Sequence, residues 1–292
     1  MNTEAIDPKY SELDLQTTDN LVSTFIDDQF LAIQVVKHAQ AAIAQAVDAA
    51  VQRLEQGGRL IYVGAGTSGR LGVLDSTELL PTFSWPAERA VGVMAGGISA
   101  YLKAVEGAED DTESALQALT AIELKAQDVV ILLAASGKTP FTVRALYHAR
   151  SLGALTIGIA NNPNTALINE AEIGVLLATG AEVIAGSTRL KAGTAQKVAL
   201  NTLSSAIMVK LHKVYGNLMV DMQPTNHKLA QRALRIVMAA TGADQMSAQR
   251  VLGAADHNVK AAIVSLLTHL EPSVARERLI KARGNIRQAL AQ

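Results

Sequence analysis

Five short apolar runs punctuate the middle of the chain: RLIYVGAG (59–66), RAVGVMAGG (89–97), DVVILLAASG (128–137), LTIGIANNP (155–163) and IGVLLATG (173–180). Each is the length of a strand and too continuous in hydrophobicity to have one wet face, so each predicts a strand buried on both sides. Between them, residues 70–80, 112–124 and 140–152 repeat their apolar positions at helical spacing. Strand and helix in alternation predict a parallel sheet with helices on both faces, an α/β three-layer sandwich of the flavodoxin-like, doubly wound kind. In such a fold the ligand sits at the loops that follow the strands. Those loops read GAGTSGR, ASGKTP, NNPNT and GAEVIAGSTRLK.

The flanks differ in pattern. Residues 1–23 are polar, carry Pro8, and read as an arm ordered by packing on something else. The Ala-rich stretch from Thr24 to Gln56 predicts one long helix that stops at Gly57 and Gly58. Beyond YGNLMVDMQPTN only helical spacing remains, so residues 24–224 form the expected α/β domain and 225–292 an all-helical subdomain, with Pro224 at the boundary. The rhythm around 239–267 fits either a ubiquitin-associated-type bundle or a plain packing appendage.

Composition narrows the partner. A net charge of −1, from 26 basic and 27 acidic residues without a basic cluster, gives no electrostatic footprint for nucleic acid or an anionic membrane. Aromatics make up 3 % of the chain, too few for a base-stacking platform. With no cysteine there is no disulfide, thiolate metal site or thiol nucleophile. The polar N-terminus lacks the apolar segment of a signal peptide, and no run is long enough to span a bilayer, so a cytoplasmic protein is expected. The six histidines, at 38, 148, 212, 227, 257 and 269, are dispersed without metal-ligand spacing, so no metal site is expected.

The turn GAGTSG has the Gly-x-Gly-x-x-Gly spacing of a dinucleotide site, but no acidic residue closes the second strand to hold a ribose. Gly66, Thr67 and Ser68 instead offer a helix N-terminus with two hydroxyls, which suits a phosphate monoester. The turn ASGKTP repeats the device with Ser136, Gly137 and Thr139 ahead of Pro140. It lacks the glycine spacing of a nucleoside triphosphate loop. A third segment gathers Glu182, Ser187, Thr188 and Lys191. Local alternatives stand beside these readings: Ser68 as a cap of the strand-to-helix turn, and Ser187 or Thr188 as N-cap of the next helix.

Together GAGTSGR, ASGKTP and GSTRLKAGTAQK resemble the sugar isomerase (SIS) domain group. Adding LDSTE, AGG, AVEGAEDD and YGNLMVDMQPTN, the chain from about Gly57 onward resembles the N-acetylmuramic acid 6-phosphate etherases. The glucokinase regulatory protein, a non-catalytic sugar-phosphate sensor, is similar in the GSTRLK region. The resemblance implies a carbon–oxygen lyase of muramic acid recycling that splits N-acetylmuramic acid 6-phosphate into N-acetylglucosamine 6-phosphate and D-lactate, acting as a homodimer and without a metal or organic cofactor. The alternatives are a sugar-phosphate isomerase or a sensor on the same scaffold. It implies Glu78 as the acid that protonates departing lactate and Glu109 as the base at C2. The phosphate and sugar contacts would come from Gly66, Thr67, Ser68, Ser136, Gly137, Thr139, Glu182, Ser187, Thr188 and Lys191.

The residues themselves permit plainer roles. Asp75-Ser76-Thr77-Glu78 has the form of a capping box, and Glu109-Asp110-Asp111 that of an acidic complement to a helix starting near Thr112. An unbroken helix puts Glu78 about 15 Å beyond Ser68. Either the helix breaks near Asp75, or Glu78 serves a site completed across a subunit interface, for which the Ala-rich helix before Gly57 is the candidate surface.

Overall fold

The computed structural model describes residues 3–222 and 227–292; Pro224, the expected boundary, lies outside them. In chain order come 3-10 turns at Pro8–Tyr10 and Leu13–Leu15, then α1 (Thr18–His38), α2 (Gln40–Glu55), β1 (Leu60–Gly64), α3 (Gly66–Phe83) and β2 (Ala90–Met94). They are followed by α4 (Thr112–Ala121), β3 (Val129–Leu133), α5 (Pro140–Ser151), β4 (Leu155–Ala160), α6 (Ala166–Asn169), β5 (Ile173–Leu176) and α7 (Lys191–Lys210). The helices α8 (His227–Thr241), α9 (Gln245–Ala254), α10 (Val259–Thr268), α11 (Pro272–Lys281) and α12 (Ile286–Leu290) complete the chain.

All five predicted strands form, and they pair in parallel in the order β2-β1-β3-β4-β5. The central strands β1, β3 and β4 are buried at every position, which is why their sequences read as continuous apolar runs. Successive residues serve opposite faces. Ile61, Val63, Val130 and Leu132 pack with Leu119 of α4 and Phe141 and Leu146 of α5, whereas Tyr62 and Leu133 meet α3 at Gly72. Each such side chain contributes roughly 1.5–3 kcal/mol of transfer free energy, so a truncation such as Leu132→Ala costs about 2–5 kcal/mol. At the amino ends of β1 and β3, Arg59 donates to both carboxylate oxygens of the buried Asp128, at 3.2 and 2.6 Å, and to the Ile122 carbonyl. This brace fixes the register of the two strands at the end opposite the loops of interest.

The single long helix expected from Thr24 to Gln56 is two helices. α1 starts earlier, with the Thr17 hydroxyl capping the Asn20 N–H, and the chain bends at Ala39. No Pro or Gly stands at the bend. It falls where α2 begins to follow the sheet, against β3, β4 and β5, so the cause is tertiary packing and leaves no local signature. The arm is anchored to the same unit: Tyr10 donates to Asp28 of α1 at 3.2 Å, and Lys191 and Thr194 of α7 donate to Asp28 and Gln29, each at 2.7 Å.

The chain forms two compact units, one of Met1–Thr77 with Ala87–Ile207, the other of Glu78–Pro86 with Met208–Gln292. The helical unit has its own core, including Ala233, Val237, Ala248, Ile263, Val264, Ala275 and Ala289. Its loop 212–222 is pinned by the Asp221 carboxylate, which receives Lys260 at 2.8 Å and Lys213 at 3.0 Å, while the Ser84 hydroxyl donates to the Asp221 carbonyl. Burial lowers the Lys260 pKa, and Asp221 opposes that shift. Among the described residues no helix is long and apolar enough to cross a membrane.

Candidate active site

The glycine-spaced turn works by close packing before it works by chemistry. A Cβ on Gly69 would come 2.7 Å from the Gly64 carbonyl oxygen, so only glycine lets α3 start directly against the end of β1. Gly66 opens α3 with φ +52. The first N–H groups of the helix then face the space beyond β1 without intrahelical acceptors. Ser68 lies inside the helix, not at its cap, and is 8 % exposed.

β3 repeats the arrangement. Its exit turn carries Gly137 at φ +67. The Ser136 hydroxyl accepts the Lys138 N–H at 3.2 Å and lies 3.3 Å from the Thr139 hydroxyl. Thr139 occupies the N-cap of α5 without a side-chain capping bond, and Pro140 takes the first helical position, where its missing N–H costs nothing. The order 2-1-3-4-5 makes β1 and β3 neighbours whose helices leave on opposite faces, the switch point where such sheets bind ligands.

A cavity of about 390 Å³ lies there, lined by Gly66, Thr67, Ser68, Ser136, Lys138, Thr139, Thr188, Glu109, Asp110 and Glu4 among others. Two helix N-termini and five hydroxyls therefore border one space that also holds carboxylates. Helix N-termini and hydroxyls suit an oxyanion, and a carboxylate beside them can exchange protons with whatever the oxyanion anchors. A larger cavity, about 660 Å³, adjoins the turn 106–111; apolar residues such as Met94, Val105 and Phe141 line it together with Glu106, Asp111, Ser114 and Gln117, but the hydroxyl-bearing loops that leave β1 and β3 do not.

The structure brings together Gly66, Thr67, Ser68, Ser136, Thr139, Thr188 and Glu109. Gly137 shapes its turn from within. Glu182 is a helix cap: its buried carboxylate accepts the N–H groups of Lys191 and Ala192 at 3.1 and 2.9 Å, at the start of α7. The expected caps, Ser187 and Thr188, give way to this carboxylate from earlier in the loop. Burial raises the Glu182 pKa, opposed by the two backbone bonds. The Lys191 ammonium is buried against Asp28 at 2.7 Å. Ser187 precedes α7 and is absent from the cavity lining.

The two candidate acid–base residues fall differently. Glu109 sits in a 3-10 turn, Ala108–Asp110, just ahead of α4. The cap of α4 is its neighbour Asp111, which accepts from Glu113 and Ser114, so Glu109 is free of that local role. Glu78 lies on α3, which runs without a break through Asp75 to Phe83, and its side chain is exposed. Asp75 is accordingly no capping residue. It is 4 % exposed in mid-helix and accepts from the Tyr62 hydroxyl at 2.8 Å, Asn201 at 2.7 Å and Ser204 at 3.1 Å. Burial raises its pKa, and those three donors pull it back.

Sequence reasoning did not find Glu4, Asp110 or Lys138 in the cavity. Nothing local marks Glu4, which stands in a polar segment far from any motif. Lys138 and Asp110 lie inside ASGKTP and AVEGAEDD, and their position beside Ser136 and Glu109 was the available signal. Among the described residues no group of three or more His, Asp or Glu side chains is arranged to hold a metal ion.

Residues 42–149 match the family model for the glucokinase regulatory protein N-terminal SIS domain, and residues 100–206 that for the SIS domain. A protein of Deinococcus radiodurans named N-acetylmuramic acid 6-phosphate etherase is 53 % identical over 290 residues, 99 % of this chain and 95 % of that one. Proteins of the same name from Salmonella typhi and Pectobacterium atrosepticum are 47 % and 48 % identical over 288 residues, covering 99 % of this chain and 97 % and 95 % of theirs. Among solved structures, a phosphoheptose isomerase from Francisella tularensis matches 66 % of this chain and all of its own at TM-score 0.52 and 22 % identity. One from Neisseria gonorrhoeae matches 65 % of this chain and 98 % of its own at 0.51 and 16 %. At those identities the likeness is one of fold.

Proposed function

The chain belongs to the N-acetylmuramic acid 6-phosphate etherase family, and we propose that it is the enzyme that splits N-acetylmuramic acid 6-phosphate into N-acetylglucosamine 6-phosphate and D-lactate in muramic acid recycling. The observation that carries the reading to this site is the cavity that joins the α3 and α5 N-termini, Ser68, Ser136 and Thr188 with the carboxylate of Glu109. The phosphate docks on the helix ends and hydroxyls, leaving the sugar to extend toward the carboxylates.

The chemistry is that of a carbon–oxygen lyase followed by hydration. In the open-chain sugar the aldehyde acidifies the C2 proton. The Glu109 carboxylate removes that proton, the C3–O bond breaks with its electron pair going to the lactyl oxygen, and Glu78 as the acid protonates departing lactate. In the return step water adds at C3 of the unsaturated aldehyde, Glu78 takes a proton from that water, and Glu109 returns one to C2. The sum is one ether and one water consumed, one alcohol and one lactate formed, with no external oxidant or reductant. General acid–base assistance of this kind contributes roughly 10²–10⁴-fold in rate.

With α3 continuous, we read Glu78 as acting in the site of a second copy. The support is the exposed apolar stripe Val22, Ile26, Phe30 and Ile33 on α1, whose spacing puts the four on one helical face. A homodimer through that face would cover it. With a phosphorylated sugar of muramic acid recycling as substrate, we read the protein as cytoplasmic.

Incubation with N-acetylmuramic acid 6-phosphate and enzymatic measurement of D-lactate tests the activity. Lactate stoichiometric with N-acetylglucosamine 6-phosphate is the expected result; folded protein that binds the sugar phosphate and releases none is a sensor instead.

A further inference from the structure

The N-terminal segment is built into the candidate site. Thr3 is 0 % exposed. Its backbone N–H donates to the Asn162 side-chain oxygen at 3.0 Å, and the Asn162 amide donates back to the Thr3 hydroxyl at 2.9 Å and to the Ala135 carbonyl at 3.0 Å. Asn162 follows β4 and Ala135 follows β3, so this reciprocal pair fastens the beginning of the chain to the strand-end loops that make the cavity. The next residue, Glu4, lines that cavity together with Ser68, Ser136, Thr188 and Glu109. Gly186, at φ +75, makes room for it: a Cβ there would come 3.1 Å from Glu4 Oε2.

Beside the proton exchange given to Glu109 and Glu78, a further carboxylate facing a bound sugar phosphate repels the phosphate and the lactyl carboxylate and accepts hydrogen bonds from neutral donors. The partners left on an N-acetylamino sugar phosphate are neutral donors, namely sugar hydroxyls and the acetamido N–H. Resting on the etherase reading of the site, we propose that Glu4 is a specificity-determining contact, accepting a hydrogen bond from a hydroxyl or amide N–H of the sugar, and that the Thr3–Asn162 pair holds it there. Glu4 thus selects for the sugar, and the helix N-termini for the phosphate. A hydrogen bond to a charged acceptor carries about a tenfold or greater share of affinity.

The test is calorimetric titration of N-acetylglucosamine 6-phosphate and of inorganic phosphate into full-length wild-type, Glu4→Gln and Thr3→Val proteins, with thermal melts alongside and D-lactate release measured on the wild type. Glu4→Gln is expected to melt like the wild type, to bind the sugar phosphate at least about tenfold more weakly, and to bind inorganic phosphate within twofold of wild type. Thr3→Val, which removes the hydroxyl half of the pair and keeps the backbone half, is expected to weaken sugar-phosphate binding in the same direction while leaving inorganic phosphate affinity near that of wild type. Unchanged sugar-phosphate affinity in Glu4→Gln overturns the proposal, as does an equal loss for both ligands, which would make Glu4 a support of the phosphate loops. Wild-type protein that binds the sugar phosphate but makes no lactate removes the etherase reading, and the Glu4→Gln affinities then decide by themselves whether Glu4 contacts the sugar. Lactate release by the wild type with full affinity in Glu4→Gln removes this one alone.

Discussion

Lys191 Nζ lies 2.7 Å from Asp28 Oδ1, and both side chains are only 5 % exposed. The pair joins the first turn of α7 to the middle of α1, and Tyr10 adds a third member by donating to the same oxygen. Burial, then Asp28, pushes the Tyr10 hydroxyl up to about 12, so the phenol stays a donor at any ordinary pH. Removing one partner of a buried ion pair strands the other charge and costs about 3–5 kcal/mol. Lys191→Met should therefore lower the melting temperature sharply, and Lys191→Met with Asp28→Leu should recover much of the loss. A Lys191→Met protein that melts normally but binds N-acetylglucosamine 6-phosphate weakly would instead make Lys191 a direct substrate contact.

Asp75 gives a prediction with a definite sign. Its pKa is raised in the folded protein because burial penalises the carboxylate more than Tyr62, Asn201 and Ser204 relieve it. The folded state therefore holds this proton more tightly than the unfolded chain does, and stability from this group is present at low pH and lost as pH rises through the folded pKa. Asp75→Asn keeps a neutral side chain at every pH. The stability of wild type relative to Asp75→Asn should fall as pH is raised from the usual carboxylate range toward neutrality. Paired melting curves across that range check it; a difference that grows in favour of the wild type would contradict the sign.

Gly137 and Gly66 both have positive φ, but their surroundings differ. A Cβ on Gly137 would lie 2.2 Å from the Thr165 hydroxyl, whereas one on Gly66 meets nothing within 4 Å. Gly66→Ala should cost only the left-handed conformation, about 1–2 kcal/mol. Gly137→Ala must also displace Thr165 or its own turn, which carries Ser136 and Thr139. It should be the less stable of the two and should lose more affinity for N-acetylglucosamine 6-phosphate, as melts and titrations on the two variants would show.

The parts legible in the sequence are those whose cause is local. Strands buried on both faces must be continuously apolar, so β1, β3 and β4 could be read that way; the edge strands β2 and β5 are also apolar runs but are only partly buried, contrary to the expectation that every strand is covered on both sides. Gly64-x-Gly66-x-x-Gly69 announced a tight strand-to-helix turn, because a Cβ at Gly64 or Gly69 would collide with the other's backbone and Gly66 takes a positive φ. Asp28 pairs with a lysine 163 residues away, Glu182 caps a helix from nine residues upstream of its first residue, and Thr3 bonds to Asn162 across 159. No local pattern encodes those partners. Asp75-Ser76-Thr77-Glu78 misled for the same reason: its residue types favour a cap, but α3 had already started at Gly66, and the buried Tyr62 hydroxyl gave Asp75 a different partner.

The proposed division of Glu78 and Glu109 between two copies can be tested by mixing variants. Each of Glu78→Gln and Glu109→Gln alone should lose about 10²–10⁴-fold in lactate release, the scale of a missing general acid or base. Glu78→Gln should still exchange the substrate C2 hydrogen with deuterated solvent, because the base remains, and Glu109→Gln should not. If each site takes Glu109 from one copy and Glu78 from the other, mixed dimers of the two variants contain one intact site and one doubly altered site. Random reassortment of equal amounts should then restore about a quarter of wild-type activity, since half the dimers are mixed and half their sites are whole. Sites built within one chain would each keep a single lesion, and mixing would restore nothing. Phe30→Asp, in the middle of the exposed α1 stripe, should shift the protein toward monomer in light scattering and remove the recovery along with the dimer.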